Sequence, residues 1–157
     1  VKEGTVSAYS LLKLIHIVSA IVAVGANVSY FVWFSRVKGE PQPEQVFALR
    51  GIKTLDSWLA NPAYVVLPVT GITMVLIEDL GFTTFWIGLA IGLYVFMGAF
   101  AGIFFAPALR RQIDMVQREG PQSAGYADAA RRTTVTGALT MVPIAAILYL
   151  MVIKPTL

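Results

Sequence analysis

The chain has 157 residues, of which 57% are hydrophobic and only 13% are charged. Soluble domains usually carry about 25% charged residues, so this composition excludes a water-exposed globular domain. The net charge is +3 and the sequence contains no cysteine, which excludes disulfides, thiol catalysis and iron–sulfur clusters.

Four uncharged runs dominate the sequence. They cover residues 14–35, 57–77, 80–109 and 133–153, and the shortest runs have 21 residues. A hydrocarbon core about 30 Å thick takes about 20 helical residues to cross. The runs lack the alternation that is typical of barrel strands. The sequence therefore predicts an all-α membrane protein, with one domain that is a bundle of four transmembrane helices.

The first predicted helix covers about residues 8–34, and prolines then break it. A segment at about 43–59 follows, in which Val46, Leu49 and Ile52 recur at helical spacing between charged residues. This pattern is typical of an amphipathic helix. Such a helix either lies on the membrane surface or packs beneath the bundle, and the pattern favours neither alternative.

The second transmembrane helix is predicted at about 62–77. Asn61 followed by Pro62 indicates a helix start, because Asn caps free N–H groups and Pro suits the first helical position. Pro68 lies inside this helix and has no N–H to offer the carbonyl of Tyr64, so the pattern predicts a kink.

The third and fourth transmembrane helices are predicted at about 84–106 and 129–153. The third contains two Gly-x-x-x-Gly patterns, Gly88 with Gly92 and Gly98 with Gly102. Such spacing lets the backbone of another membrane helix approach closely. These four glycines are therefore predicted helix-packing residues.

The distribution of basic residues predicts the topology. The first and third connections carry nine Lys and Arg residues, whereas the second connection, residues 78–83, carries none. Basic connections stay in the cytoplasm. The sequence therefore predicts that the basic loops are cytoplasmic and that both termini lie outside.

His16, the only histidine, lies inside the first helix. A neutral imidazole can ligate haem iron or chlorophyll magnesium, relay protons, or simply hydrogen-bond a neighbouring helix. Ser19, Ala20 and Ala23 share its face and leave room for a flat ring or for another helix. His16 is thus the candidate cofactor-binding residue, with haem b or a chlorophyll-type pigment as the candidate cofactor.

Asn27 is a second polar residue deep in the first helix. A buried amide needs a hydrogen-bond partner, so Asn27 is predicted to bond another helix. Hydroxyls for the same purpose are offered by Thr70, Thr73, Thr133, Thr134, Thr136 and Thr140.

Several chemistries lack their residues in this sequence. No acid lies near the middle of a predicted transmembrane helix, which argues against an ion-coupled carrier. The chain has no Gly-x-Ser-x-Gly, no phosphate loop and no paired histidines for zinc. No catalytic residue and no metal site are therefore predicted, and a non-catalytic role is favoured over an enzyme. The basic loops suit anionic lipid headgroups better than nucleic acid.

Three short motifs carry a family resemblance: Leu-Lys13-Leu-Ile-His16, then Pro68-Val-Thr70-Gly71, then Leu150-Met151-Val-Ile-Lys154-Pro155. With these the chain resembles a family of predicted bacterial integral membrane proteins, the domain of unknown function 2269. The resemblance spans nearly the whole chain. It implies a multi-pass protein of the bacterial inner (cytoplasmic) membrane, and it implies no assigned activity.

The Lys13-x-x-His16 opening is also similar to membrane proteins of the copper-resistance D type and to the HemJ-type protoporphyrinogen oxidase. In those families a first-helix histidine implies haem or metal chemistry, and only His16 has the matching position here.

Three functions are compatible with these observations. The first is a helix-packing accessory subunit that binds other membrane subunits or a second copy of itself. The second is an electron- or energy-transfer protein in which His16 is the axial ligand of a b-type haem or a (bacterio)chlorophyll. The third is a small transporter.

Overall fold

Four long helices form the protein, whose computed structural model describes residues 8–155. Helix α1 is Ala8–Arg36 and the last helix, α6, is Ala124–Ile153. Between them, α2 (Gln42–Leu55) continues into α3 (Asn61–Ile77), and α4 (Phe85–Phe100) continues into α5 (Ala106–Arg118). Each of the four continuous helices is long and apolar enough to cross a membrane. The predicted all-α fold with four transmembrane helices is confirmed.

The expected helix start at Asn61-Pro62 is wrong. Ala60 has helical dihedral angles and no side chain caps the helix. The chain instead runs on from α2 through a π-helical turn, Asp56–Ala60, in which the N–H of Asn61 donates to the carbonyl of Asp56. A regular turn would press the ring of Pro62 against the carbonyl of Trp58. The extra residue of the π-turn widens the helix at this point, so the proline is accommodated without a break.

The same arrangement recurs in the other long helix. A second π-turn, Ala101–Phe105, ends where the N–H of Ala106 donates to the carbonyl of Ala101, and Pro107 follows directly. The predicted third helix of about 84–106 therefore does not stop at this proline. It continues as an α-helix to Arg118.

Helix α6 begins earlier than the predicted residue 129. The hydroxyl of Ser123 accepts a hydrogen bond of 3.0 Å from the N–H of Tyr126. This is the usual N-cap arrangement, in which a serine satisfies an N–H of the first helical turn. The cap therefore places the start of α6 at Ala124.

The helices associate as two pairs, α1 with α3 and α4 with α6, and α2 packs against α5. No Cα of α3 comes within 8 Å of a Cα of α4, both helices lying fully inside the described range. We call the end that holds α2, α5 and the adjoining ends of α1 and α6 the basic end. Its buried core consists of Ala26, Tyr30, Leu49, Ile52, Ala60, Phe105, Leu109, Ile113, Val116 and Tyr126.

Helix α2 presents two different faces. Leu49 and Ile52 are fully buried in the core. This face of α2 therefore packs against the rest of the protein, which is the second of the two arrangements expected from the sequence. On the outer side, the side chains of Phe47 and Trp58 are 80% and 81% exposed. The amphipathic pattern of 43–59 thus divides into a packed face and an open aromatic face.

Candidate functional site

Polar side chains inside the transmembrane helices meet along one line that joins α1, α3 and α4. We call this set the polar seam: His16 and Asn27 on α1, Tyr64 and Thr70 on α3, and Tyr94 on α4. Elsewhere these helices expose large apolar side chains, as expected for surfaces that face lipid. The seam therefore holds the groups whose hydrogen bonds select one helix arrangement.

His16 bonds α3 through Thr70. Its Nδ1 lies 2.9 Å from the hydroxyl oxygen of Thr70. The next residue, Gly71, makes space for the ring, because a Cβ at that position would lie 3.2 Å from Cε1 of His16. Thr70 and Gly71, which belong to the motif Pro68-Val-Thr70-Gly71 on α3, thus form the wall against which the imidazole packs.

The hydrogen bonds of Thr70 assign the tautomer of His16. The Thr70 hydroxyl also lies 2.8 Å from the carbonyl of Val66 and 3.1 Å from that of Leu67, to which it donates its single proton. With that proton donated inside α3, the hydroxyl accepts from His16, and we therefore assign the imidazole proton to Nδ1. In this tautomer Nε2 keeps its lone pair, while Nδ1 faces the Thr70 hydroxyl.

Asn27 joins α1 to α3 about three turns further along α1. Its amide nitrogen donates to the hydroxyl of Tyr64 at 2.6 Å and to the carbonyl of Ala23 at 2.8 Å. Both amide protons are therefore used, one within α1 and one across to α3. This satisfies the donors of an amide that lies in an apolar environment.

Tyr94 closes the seam on α4. Its hydroxyl donates to the backbone carbonyl of Tyr64. That carbonyl is the one released by Pro68, which has no N–H to donate to it. Because α3 and α4 do not touch through their backbones, this bond spans the space between them. Sequence reasoning found the unpaired carbonyl but missed Tyr94 as its donor and Tyr64 as the partner of Asn27.

Most of the threonines do not join helices as expected. The hydroxyls of Thr73, Thr133, Thr136 and Thr140 donate to carbonyls of their own helices. A threonine in a helix readily bonds the carbonyl three or four residues earlier, so its side-chain proton is already used. Of the threonines named in the sequence analysis, Thr70 is the one whose hydroxyl also forms a hydrogen bond with another helix.

The predicted packing glycines have no helix partner among residues 8–155. A Cβ on Gly92, Gly98 or Gly102 would meet nothing within 4 Å, and one on Gly88 would meet only the Phe82 carbonyl at 3.2 Å. Their packing against another chain remains a prediction. Close contacts inside the protein occur at other glycines, as at Gly137, where a Cβ would lie 3.2 Å from Cε2 of Phe105.

Between residues 8 and 155, no group of three or more His, Asp or Glu side chains is arranged to hold a metal ion. Asp56 is an acid close to the seam: it is partly buried in the π-turn Asp56–Ala60 and interacts electrostatically with Tyr64. The one ion pair within the same range joins Arg132 to Asp128 at 2.9 Å on α6. The polar seam is thus built from neutral groups.

Fold and seam together define a small multi-pass helical membrane protein. The chain belongs to the family described as predicted integral membrane protein (DUF2269), whose model matches residues 10–155. This confirms the expected family. No curated protein and no solved structure matches the chain. The similarity to the copper-resistance D and HemJ types is not shown and stays an expectation.

Proposed function

We propose that this protein is a non-catalytic, helix-packing subunit of a larger membrane assembly and that it docks through the outward face of α4. The observation that carries the proposal is the open space around its glycines. Gly88, Gly92, Val95 and Ala99 follow one another at the spacing of a single helix face, and all four are exposed.

At Gly92 and Gly102 glycine has a cost that no contact among residues 8–155 offsets, whereas at Gly88 it also avoids the Phe82 carbonyl. A glycine lowers helix propensity by about 1 kcal/mol relative to alanine. In membranes, its compensating advantage is the close approach of a second helix. A partner helix lying along Gly88, Gly92 and Gly102 would supply that contact, whether it came from a different subunit or from a second copy of this chain.

The orientation in this proposal follows from charge. The basic end carries the nine Lys and Arg residues of the first and third connections, and the positive-inside rule places it in the cytoplasm with both termini outside. The membrane is the bacterial inner membrane. Docking through α4 leaves the basic end free to meet cytoplasmic parts of the same assembly.

Leucine substitutions on α4 and on the π-turn that follows it test the docking face. Gly92→Leu and Gly102→Leu fill the open groove, so we expect the protein extracted in a mild detergent to lose its co-purifying subunits or its oligomeric mass. The matched control is Gly25→Leu, because Gly25 lies in α1 and also has nothing within 4 Å of an added Cβ. Light scattering and subunit identification on the same fraction give the readout. Normal assembly of both α4 variants would overturn the proposal.

The tautomer of His16 favours a second candidate, a cofactor protein. Thr70 holds Nδ1 as a donor and leaves Nε2 with a free lone pair, which is the arrangement of a histidine that ligates iron or magnesium. Ser19 and Ala20 beside it have small side chains and would leave room for a flat ring. Haem b would supply one-electron transfer at this site, and a chlorophyll-type pigment would supply energy transfer.

An absorption spectrum of the gently purified protein tests this candidate. A haem or pigment band that disappears in His16→Ala supports it. In Thr70→Val the ligand remains but loses its orienting partner, for which we expect cofactor affinity to fall by about 10- to 100-fold. A colourless preparation from native membranes would remove the cofactor candidate and leave the docking proposal untouched.

A further inference from the structure

An open groove runs along the outer side of α2, beside the last turn of α1. The part nearer the π-turn has a volume of about 630 Å³, and its walls include Trp33, Val46, Phe47, Gly51 and Leu55. Its one charged lining residue is Arg50. A second part of about 400 Å³ continues from the first toward the start of α2 and adds Arg36, Glu40 and Glu44. The first part of the groove is therefore apolar apart from the cation of Arg50. The second part contains both positive and negative side chains.

The apolar part of the groove begins where the transmembrane segments end. Trp33 is near the end of the uncharged run 14–35, and Leu55 comes just before the run 57–77. The continuous helix Gln42–Ile77 has 36 residues, or about 54 Å at 1.5 Å per residue, against about 30 Å of hydrocarbon. The π-turn and α2 thus rise from the hydrocarbon boundary into the headgroup layer, and Trp58 lies at the boundary as interfacial tryptophans do.

Charge distinguishes the lining of this groove from an ordinary lipid-facing surface. Arg36 and Arg50, with the nearby Lys38 and Lys53, form no ion pair with any residue of the described chain. The two carboxylates, Glu40 and Glu44, lie in the part farther from the transmembrane run. A negative group that enters at the hydrocarbon boundary therefore meets Arg50 before it meets an acid.

We propose that this groove binds one anionic phospholipid from the surrounding membrane. Its phosphate is held by Arg50, with Arg36 at the neighbouring end, and part of an acyl chain lies on the apolar wall between Trp33 and Phe47. This occupant explains why an aromatic side chain as exposed as Phe47 stands beside unpaired cations, because lipid covers the ring while the phosphate neutralises the charge. The proposal is independent of the docking face on α4.

Tryptophan quenching by brominated lipids measures the binding directly. The chain has three tryptophans, and Trp86→Phe leaves Trp33 and Trp58, both at the groove end of the molecule. In vesicles of phosphatidylcholine with a minor fraction of brominated phosphatidylglycerol, we expect quenching above that produced by the same fraction of brominated phosphatidylcholine. Arg50→Gln should lower the preference for the anionic lipid by about tenfold, because it removes the charge-assisted hydrogen bond from the guanidinium to the phosphate.

Arg111→Gln is the matched control, because Arg111 is an exposed cation at the same end that does not line the groove. Retained preference in this variant, with loss in Arg50→Gln, supports a defined site. Equal loss in both variants means diffuse attraction to the membrane surface and overturns the proposal. Equal quenching by the two lipids overturns it as well. Suppression of the preference by millimolar inorganic phosphate would assign the groove to a free anion instead of a lipid.

Discussion

Tyr94→Phe removes one hydroxyl and, with it, the hydrogen bond that links α4 to α3. The carbonyl of Tyr64 then has no donor, because Pro68 cannot replace the lost proton. Nothing else at the position changes in shape, since phenylalanine keeps the ring. The variant therefore isolates the contribution of a single interhelical hydrogen bond.

The size of the effect follows from the surroundings of that carbonyl. Hydrogen bonds between membrane helices contribute on average about 0.6 kcal/mol and at most about 1.7 kcal/mol. An unsatisfied buried acceptor costs about 1–3 kcal/mol. Since both effects act here, we expect the free energy of unfolding to fall by about 1–2 kcal/mol.

Reversible unfolding in mixed detergent micelles, followed by tryptophan fluorescence, gives the free energy. Tyr149→Phe is the control, because Tyr149 is mostly exposed on α6. Pro68→Ala restores an N–H for the Tyr64 carbonyl, so Tyr94→Phe should cost about 1 kcal/mol less in that background, which is the coupling energy of a double-mutant cycle. An equal cost of Tyr94→Phe in both backgrounds, or no difference from Tyr149→Phe, would refute the reasoning.

Two further predictions concern glycines, and the same unfolding measurement checks both. Gly137→Ala brings a Cβ to 3.2 Å from Phe105 and should destabilise by about 1–3 kcal/mol through overpacking, whereas Gly25→Ala, in open space, should not destabilise; equal effects would contradict the packing. Gly39→Ala forces alanine into φ +90° and should cost about 1 kcal/mol or more, while Gly51→Ala within α2 should stabilise by up to about 1 kcal/mol; a neutral Gly39→Ala would contradict the turn geometry.

The four transmembrane helices could be predicted because length and lack of charge are properties of each segment alone. The unpaired carbonyl at Tyr64 was predictable for the same reason, since Pro68 acts within its own helix. The π-turns were not, because Asn61-Pro62 resembles a helix start until the packing of α2 shows that the helix runs through it. Local sequence signals therefore predicted the helices, whereas the π-turns that connect α2 to α3 and α4 to α5 depended on tertiary contacts.

The candidate site shows a similar division. His16 and Asn27 were found because a polar residue in an apolar helix needs a partner, but the sequence does not state which helix provides it. A Gly-x-x-x-Gly pattern likewise says nothing about the direction in which its face points. On α4 that face points away from the protein. The glycines at which an added Cβ would meet side chains of other helices are Gly71, Gly125 and Gly137, and none of them belongs to such a pattern.

The separation of α3 from α4 determines which part of the protein deforms under lateral pressure from the bilayer. The core of the basic end packs the pair α1–α3 against the pair α4–α6. Between α3 and α4, the hydroxyl of Tyr94 provides one interhelical hydrogen bond. The two helix pairs are thus held together at the basic end by packing and at the opposite end by the short connection 78–84, and the space between α3 and α4 lies between these two points. We therefore expect lateral pressure from the bilayer to deform the protein least at the densely packed basic end and most between α3 and α4.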